Sequence, residues 1–443
     1  MLRNTPAGQC ARIPEQPTFE VLLIGFEETA DMRVPHTTDS AAQSVHAEYP
    51  EFPIPRSCPM RVPEQYAQLR AEAPISKVTL QHGSTAWLLT RQEDIREFLV
   101  HPQVSTDRLH PGSPLQVRLP GGVPKERLVG MVGMDGPEHL ARRRLVLPEF
   151  TVKRIRQMRP RVQEIVDACL ASMLDAGRTA DLIEAFAAPV PSMIACELLG
   201  VPYADSAFFL AKTAVILSRN ATREEQEGAY AELLDYLEEV VSDKEREPSD
   251  DLIGRLIGNL RESGAYDRDL VLGMARLLLV AGHEATPNMI ALGTIGLLEH
   301  PDQLAQLRAD PGLVPQAVEE LLRYFSISDQ ATFRVALSDI KIGDVTIPEG
   351  DGVIGLNASA NWDSEFYENP EVLDIHRDVG RHLAFGYGPH QCIGQNLVRM
   401  NLEVVFSTLF ARVPGLRLAL PATELPLKND QIVYGVHELP VTW

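Results

Sequence analysis

Basic residues are scarce in this chain relative to acidic ones. Of its 443 residues, 41 are Lys or Arg and 61 are Asp or Glu, which gives a formal net charge of −20. A general nucleic-acid-binding protein needs a basic surface for the phosphate backbone, so this balance argues against that class. A local basic docking face is still compatible with the overall charge.

Cysteine is also sparse, and no CxxC pair occurs. The five cysteines are Cys10, Cys58, Cys169, Cys196 and Cys392. The missing CxxC spacing excludes zinc ribbons and cysteine-rich iron–sulfur motifs. An odd number at wide spacing disfavours a disulfide scaffold and favours a reducing compartment. We therefore expect a cytoplasmic protein.

The sequence has no long hydrophobic run near its start. The longest one, residues 21–26, is flanked by Glu20 and Glu27 and has no basic segment in front of it. It is too short to span a bilayer and is a poor match to a signal peptide. We expect no membrane anchor.

The periodicity predicts a mainly α protein with a small β portion. Residues 1–49 are polar and poorly periodic, which predicts a partly disordered N-terminal extension ahead of one domain over residues 50–443. Between about 137 and 325, apolar residues recur at three- and four-residue spacing without strand-like alternation, so almost all of this segment is expected to be helix. After residue 330, short β-type runs alternate with turn signals, and a final helix is predicted over 395–412.

The most distinctive motif surrounds the last cysteine. Residues 385–394 read Phe-Gly-Tyr-Gly-Pro-His-Gln-Cys-Ile-Gly, which is the pattern FxxGxxxCxG. Gly386 and Gly388 allow a tight turn and a close approach to a flat ligand. A helix is expected directly after Gly394, so its free N–H groups favour the thiolate of Cys392. For a lone cysteine, the alternative is a buried thiol in a glycine-rich turn.

This loop resembles the haem-binding loop of the cytochrome P450 family, which ligates iron through a cysteine thiolate. The resemblance covers roughly residues 50–443 and implies the P450 fold, a triangular, helix-rich single domain. It implies Cys392 as the iron ligand of haem b, with Phe385, Gly386 and Gly394 against the cofactor. It also implies a monooxygenase that consumes O2 and receives electrons from NAD(P)H through ferredoxin reductase and ferredoxin.

A second motif adds to the resemblance. Glu320 and Arg323 form the family's ExxR motif, and at i and i+3 they share one helix face. Arg377 fits the family's third member, between this motif and the cysteine loop. The resemblance implies that the three brace that loop. Loss of one buried charge should then unfold the haem site.

Cationic residues at four positions match the family's haem-propionate contacts. Residues 134–144 look like the start of the family's helix C, where His139 and Arg143 are four residues apart and face one way. Arg334 and His390 are the matching positions elsewhere. The resemblance implies that all four donate to the carboxylates of the propionates.

Residues 269–298 form the most apolar long segment and predict a buried central helix. Residues 281–286 read Ala-Gly-His-Glu-Ala-Thr, where the family usually shows A-G-x-E-T-T. The resemblance implies that Ala281 leaves room above the haem and that Glu284 delivers protons. The alcohol that usually hydrogen-bonds dioxygen is replaced by Ala285, and Thr286 lies about 100° round the helix.

That replacement leaves two alternatives for proton delivery. Either water takes the place of the alcohol, with Thr286 beside it, or a hydroxyl group of the substrate does, which implies a hydroxylated substrate. Pro287 lacks the N–H that would bond the carbonyl of His283, so we expect the helix to bend or open near 282–287.

The family implies pocket walls from several segments. The candidates are Met131, Val132, Leu277, Val280, Gln330, Ala331, Ile432 and Val433. Their mostly apolar character favours a large, apolar, hydroxylated natural product. We expect a macrolide polyketide of antibiotic biosynthesis. A terpenoid or steroid is the alternative substrate, and a peroxide-using or non-redox haem enzyme is the alternative activity.

No flavin or nicotinamide fingerprint is found, so the reductase must be another chain. Residues 141–161 contain eight Lys or Arg and one acid, Glu149. This segment is predicted to dock an acidic ferredoxin, with Arg156 and Arg159 as test positions. We expect a monomer that binds neither nucleic acid nor membrane.

Overall fold

The computed structural model describes residues 49–81, 83–115, 127, 130–328 and 332–443. Within it, Ala47–Trp443 forms one compact unit. Apart from Tyr49, the predicted extension over residues 1–49 lies outside the described residues.

The described α-helices are numbered α1 to α13 in chain order. They are α1 Gln65–Glu72, α2 Gln92–Leu99, α3 Gly136–Val146, α4 Val152–Ala176, α5 Pro189–Leu199, α6 Ser206–Leu217, α7 Arg223–Arg246, α8 Leu252–Glu262, α9 Arg268–Leu298, α10 Pro301–Ala309, α11 Val314–Phe325, α12 Asn357–Asn361 and α13 Gln395–Arg412. Short 3₁₀ turns cover Leu147–Phe150, Tyr203–Asp205, Pro311–Leu313, Gly388–His390 and Ala422–Glu424, and a π turn covers Ile183–Ala187.

Local capping chemistry sets several helix starts. Thr222 and Glu225 form a reciprocal capping box ahead of α7. The Asp251 carboxylate accepts from the Gly254 N–H at 2.9 Å ahead of α8. The Asp267 carboxylate accepts from the Asp269 N–H, also at 2.9 Å, ahead of α9. Each cap satisfies N–H groups that the first turn leaves unbonded.

The strands form three small sheets. They are β1 Glu51–Phe52, β2 Ile75–Leu80, β3 Thr85–Leu89, β4 Val104–Ser105, β5 Thr179–Asp181, β6 Phe333–Ala336, β7 Ile340–Ile342, β8 Val345–Ile347, β9 Gly352–Gly355, β10 Arg417–Leu418 and β11 Pro440–Thr442. The largest sheet has the order β1-β2-β3-β9-β6-β4, and the others have the orders β10-β11-β5 and β7-β8. The predicted mainly α fold with a small β portion is confirmed.

The prediction of almost all helix between about 137 and 325 is confirmed, with one short exception. Strand β5 lies within this segment and pairs antiparallel with β11 at the far end of the chain. Its three residues carry no alternation of their own. The pairing partner lies more than 250 residues away, so no local pattern could indicate it.

Helix α9 runs through the centre of the described domain. It packs against α5, α7, α11 and α13, and most of its residues are buried. This arrangement follows from its nearly all-round apolar sequence. Within the described residues, none of the helices combines the length and the apolar character needed to span a bilayer.

Candidate haem-thiolate site

The cysteine loop forms a tight turn immediately before α13. The backbone N–H of Cys392 donates to the Phe385 carbonyl at 2.9 Å. Gly386 and Gly388 have φ values of +69° and +75°, a conformation that strains any residue with a Cβ. At Gly388 a Cβ would also lie 3.1 Å from the Leu99 carbonyl oxygen. The loop thus needs both glycines.

The thiol of Cys392 faces opposing influences. Burial raises its pKa, while the N–H groups of Gly394 and Gln395 and the charges of Arg143 and Arg399 lower it. The side chain nevertheless keeps exposed area. Because the surroundings desolvate this thiol and its side chain still keeps exposed area, we infer that it faces an internal space.

One face of α9 also keeps exposed area within the protein. Most of the helix is buried, yet Leu277, Val280, Ala281, Glu284 and Ala285 all retain exposed area. Their spacing of three to four residues places them on one side of the helix. Thr286 is only 3% exposed, so it lies in the core and not on this face.

Basic side chains, most of them buried, lie together at one edge of the site. The rings of His139 and His390 stack with centroids 3.9 Å apart. Burial, followed by the charges of Arg334, His139, Arg143 and Arg108, lowers the pKa of His390 to about 2. Burial and the neighbouring charge of Arg108 lower the pKa of Arg334 to about 10. Of the predicted cations, Arg143 also donates to the Gln391 carbonyl at 2.7 Å.

Asp135 is the carboxylate that approaches this cluster. It lies 3.8 Å from the His390 Nε2, but it already accepts from the Thr106 N–H and hydroxyl, both at 2.9 Å. One shared carboxylate does not balance the charges of Arg108, Arg143 and Arg334. The cluster therefore fits a ligand with further carboxylates, such as the two propionates of haem.

The residues present fit haem as a whole. A thiol held at a helix N-terminus faces internal space, glycines let the backbone approach a flat group, and cations gather at one edge. Cys392 would hold the iron, and His139, Arg143, Arg334 and His390 would hold the propionates.

The predicted brace of the cysteine loop is in contact and buried. Arg323 donates to the two carboxylate oxygens of Glu320 at 2.7 and 2.8 Å, and both side chains are 0% exposed. Arg377 donates to Glu320 at 3.2 Å. Arg323 also donates to the carbonyls of Asn361 and Pro370 at 2.8 and 2.9 Å. The ion pairs thus hold the backbone that leads into the cysteine loop.

The acid of the central helix is held away from bulk water. Burial raises the pKa of Glu284, and the charge of Lys428 partly offsets this rise. The adjacent His283 has its pKa lowered to about 4 by burial, so it is neutral near pH 7. Helix α9 is continuous from Arg268 to Leu298 across Pro287, so it does not break there, and the bend expected near 282–287 stays a prediction.

The predicted pocket residues fall into different groups. Met131, Val132, Leu277 and Val280 belong to or pack against one apolar cluster beside the site. Val433 packs against the other large cluster, and Ile432 lines a separate cavity of about 190 Å³. Gln330 and Ala331 lie outside the described residues.

Sequence reasoning missed two charged residues near the site. Arg108 lies among the propionate-site cations and lines a small cavity with Arg334 and Val132. Lys428 lies close enough to Glu284 to affect its pKa. Arg108 falls in the Pro- and Gly-rich stretch 108–130, whose composition is a weak signal for a functional loop. Lys428 has no local signal.

In this mainly α fold, a cysteine in a glycine-rich turn faces an internal space that has basic side chains at one edge. This combination defines a haem-thiolate protein. Comparison with known proteins agrees. The family model described as cytochrome P450 matches residues 204–414. The chain is similar to vitamin D3 dihydroxylase of Streptomyces griseolus, with 47% identity over 408 residues, covering 92% of this chain and 100% of that protein.

Two further similarities extend this result. The 20-oxo-5-O-mycaminosyltylactone 23-monooxygenase of Streptomyces fradiae is 43% identical over 88% of this chain and 92% of its own length. The crystal structure of cytochrome P450 MoxA from Nonomuraea recticatena matches with a TM-score of 0.80 and 48% identity, covering 89% of this chain and 98% of that one. The chain belongs to the cytochrome P450 family and is a monooxygenase of that family.

Proposed function

We propose that this enzyme inserts one oxygen atom from O2 into an unactivated C–H or C=C bond of a large, apolar, hydroxylated natural product, with a macrolide polyketide as the favoured class. The observation that carries the proposal is the apolar face of α9, where Leu277, Val280 and Ala281 keep exposed area on a mostly buried helix. Apolar walls of this kind suit a hydrophobic substrate, and a few polar groups suffice to orient it.

The relatives support this size and character of substrate. One is named for vitamin D3 and another for a mycaminosyltylactone. A terpenoid or steroid is the alternative substrate. The cysteine pattern favours a cytoplasmic location in either case.

Haem, when bound, supplies the redox chemistry by which O2, two electrons and two protons yield a hydroxylated product and water. The chain's own residues supply the surroundings. Cys392 contributes a thiolate that the Gly394 and Gln395 N–H groups stabilise. Burial raises the pKa of Glu284, which favours the form of this carboxyl that can donate a proton.

We propose that the electrons come from an acidic ferredoxin that is reduced by a separate reductase and docks beside α3 and α4. Several basic residues predicted for docking are already used internally. Arg159 pairs with Glu403 at 2.8 Å, and Arg161 pairs with Glu197 at 2.7 Å. Among the described residues, no internal ion pair holds the exposed side chains of Arg144, Lys153 and Arg156, which can meet a partner's carboxylates.

Ala285 supports a second proposal about the same reaction. It borders the site and has no hydroxyl, while Thr286 is buried on another face of α9. A hydroxyl of the substrate would then help to deliver protons. A peroxide-using enzyme is the alternative, and turnover with hydrogen peroxide in the absence of ferredoxin and reductase would favour it.

The proposal is tested by titrating the purified holoenzyme with macrolactones, terpenoids and steroids while recording the haem absorption spectrum. We expect a spectral shift of the substrate-binding type with a macrolactone that carries hydroxyl groups. A response confined to steroids or terpenoids would transfer the assignment to that class. Failure of the reduced protein to show the red-shifted thiolate band with carbon monoxide would refute the monooxygenase activity itself.

A further inference from the structure

The cavity of about 190 Å³ that Ile432 lines has an unusual charge for this protein. Its lining comes from residues 53–56, from Tyr66 and Gln81, from Arg219 after α6, and from the C-terminal segment 428–434. Among the described lining residues, three are basic and none is Asp or Glu. The chain as a whole has a net charge of −20, so the excess of positive charge at this cavity is a local feature.

Arg219 has hydrogen-bond donors that the described residues do not use. Its Nη2 donates to the carbonyls of Asn429 and Gln431, the latter at 2.8 Å. Its Nε is buried and has no partner within the described part of the chain, and no described ion pair includes this guanidinium. Because a buried donor without an acceptor costs free energy, a ligand that supplies acceptor atoms here would be stabilising.

Lys428 provides a second positive charge at the same cavity. Its ammonium donates to the Asn288 Oδ1 at 3.2 Å and forms no ion pair with the residues that the structure describes. Burial lowers the pKa of both Lys428 and Arg219, and neighbouring carboxylates, Asp430 among them, only partly offset this. Asp430 itself contacts His437 at 2.8 Å. An anion in the cavity would therefore stabilise both cations.

The segments that carry these cations are fixed to their neighbours. The side chain of Asn429 accepts from the Arg56 N–H at 3.0 Å and donates to the Arg56 carbonyl at 2.9 Å. The guanidinium of Arg56, the third basic group, donates to two carbonyls at the end of α11. Ser218 and Gln431 form an antiparallel bridge, which holds the segment after α6 against the C-terminal segment. The cavity walls are thus formed before any ligand binds.

We propose that Arg219 and Lys428 bind a carboxylate group in this cavity. A carboxylate accepts several hydrogen bonds at its two oxygens, which matches the unused donors of a guanidinium and an ammonium. The volume has room for several waters, and hence for a small organic acid or for the acidic end of a larger molecule. The inference goes beyond the proposed function, because neither residue has an assigned part in haem binding or oxygen chemistry.

The test uses the full-length holoenzyme and butyrate labelled with carbon-13 at its carboxyl group. Broadening of the butyrate carbon-13 NMR signal reports binding, and the neutral butyramide serves as the comparison. We expect saturable binding of butyrate and none of butyramide. In Arg219→Gln and Lys428→Gln, the dissociation constant for butyrate should rise by about tenfold or more, because each variant loses a charge-assisted hydrogen bond. A glutamine at 428 can still donate to Asn288.

Variants of exposed basic residues provide matched controls. Arg246→Gln on α7 and Lys341→Gln on β7 should bind butyrate as the wild type does. Arg219→Lys keeps the charge and should weaken binding less than Arg219→Gln. The thiolate band of the reduced, carbon-monoxide-treated protein checks that each variant is folded. Equal binding of butyrate and butyramide, wild-type affinity in both cavity variants, or equal losses in the controls would overturn the inference.

A second titration separates a free organic acid from an acidic substrate as the source of the carboxylate. A compound that shifts the haem spectrum is compared with its own carboxylate derivative. If the derivative binds at least about tenfold tighter in the wild type but not in Arg219→Gln, the site receives the substrate's carboxylate. Equal affinities assign the site to a free acid. Absence of the thiolate band in the wild type refutes the proposed function and leaves the butyrate result standing.

Discussion

Cys392 illustrates how a neutral thiol can be prepared for metal ligation. Burial favours the protonated form, and two backbone N–H groups with two nearby arginines favour the thiolate. These influences oppose one another, so a further positive charge is needed to stabilise the Cys392 thiolate. Iron held by Cys392 would supply that charge, in keeping with a thiol that is desolvated and still partly exposed.

We predict that Cys392→Ser abolishes the red-shifted band of the reduced, carbon-monoxide-treated protein and reduces product formation to background. A serine oxygen cannot replace the electron-donating thiolate. Absorption spectroscopy and product analysis measure both effects. Cys58→Ser, which changes a cysteine outside the site, should leave both unchanged. A Cys392→Ser protein that keeps the band would contradict the assignment of the ligand.

Ala285→Thr tests whether the substrate supplies the missing hydroxyl. With the native hydroxylated substrate, we expect product per NAD(P)H to change by less than about twofold, far below the roughly 10²-fold that a positioned proton donor contributes. With an analogue lacking that hydroxyl, the same variant should outperform the wild type. A sharp rise in coupling with the native substrate would exclude substrate assistance.

At the scale of elements, α11 is tied to the segment before the cysteine loop. Its Glu320 and Arg323 are fully buried, and Arg377 approaches from the segment after α12. A second ion network lies beside the first, since Glu319 accepts from Arg399 of α13 at 3.0 Å. Helix α11 therefore contacts both the segment that precedes the cysteine loop and helix α13, which follows it.

We predict that Glu320→Gln lowers the free energy of unfolding by about 3–5 kcal/mol, because two buried guanidinium groups lose their carboxylate. Urea denaturation followed by far-UV circular dichroism measures this change, and loss of haem absorbance should accompany it. Glu349→Gln, in an exposed turn after β8, is the matched control. A denaturation curve that overlays the wild type would show that the ion pairs do not brace the loop.

Elements with strong local signals were predictable from sequence. The final helix was expected over 395–412 and is observed as Gln395–Arg412, because its periodicity is carried by its own residues. The central helix was likewise foreseen to within one residue at its start. Strand β5 was not, since its three residues become a strand only by pairing with β11.

At the scale of the whole molecule, a strongly acidic chain exposes several basic residues on α3 and α4, the surface proposed for docking. Arg144, Lys153 and Arg156 are exposed there beside Leu140 and Leu147, which are 43% and 44% exposed. Exposed apolar residues within a charged rim are typical of protein-binding surfaces. The overall negative charge discourages other acidic proteins and leaves this surface as the attractive one.

We predict that Arg156→Glu slows reduction by ferredoxin several-fold at low ionic strength. The difference should shrink as salt rises, because exposed charges are screened beyond about 10 Å at 0.1 M. Stopped-flow measurement of haem reduction at several salt concentrations tests this. Arg246→Glu, which replaces a residue with a 78% exposed side chain on α7, should leave the rate unchanged. Equal effects of the two variants would contradict docking at this surface.

The sequence by itself determined the family and the mainly α fold and predicted Cys392 as the iron ligand, because these depend on contiguous motifs and local periodicity. Only the tertiary structure decided which charges meet. Packing of segments far apart in the chain brings Arg108 close enough to His390, and Lys428 close enough to Glu284, to affect the pKa of each. The energy of an electrostatic interaction depends on the distance between the two charges. The sequence does not give that distance for residues in separate segments, because it is set only when the chain folds.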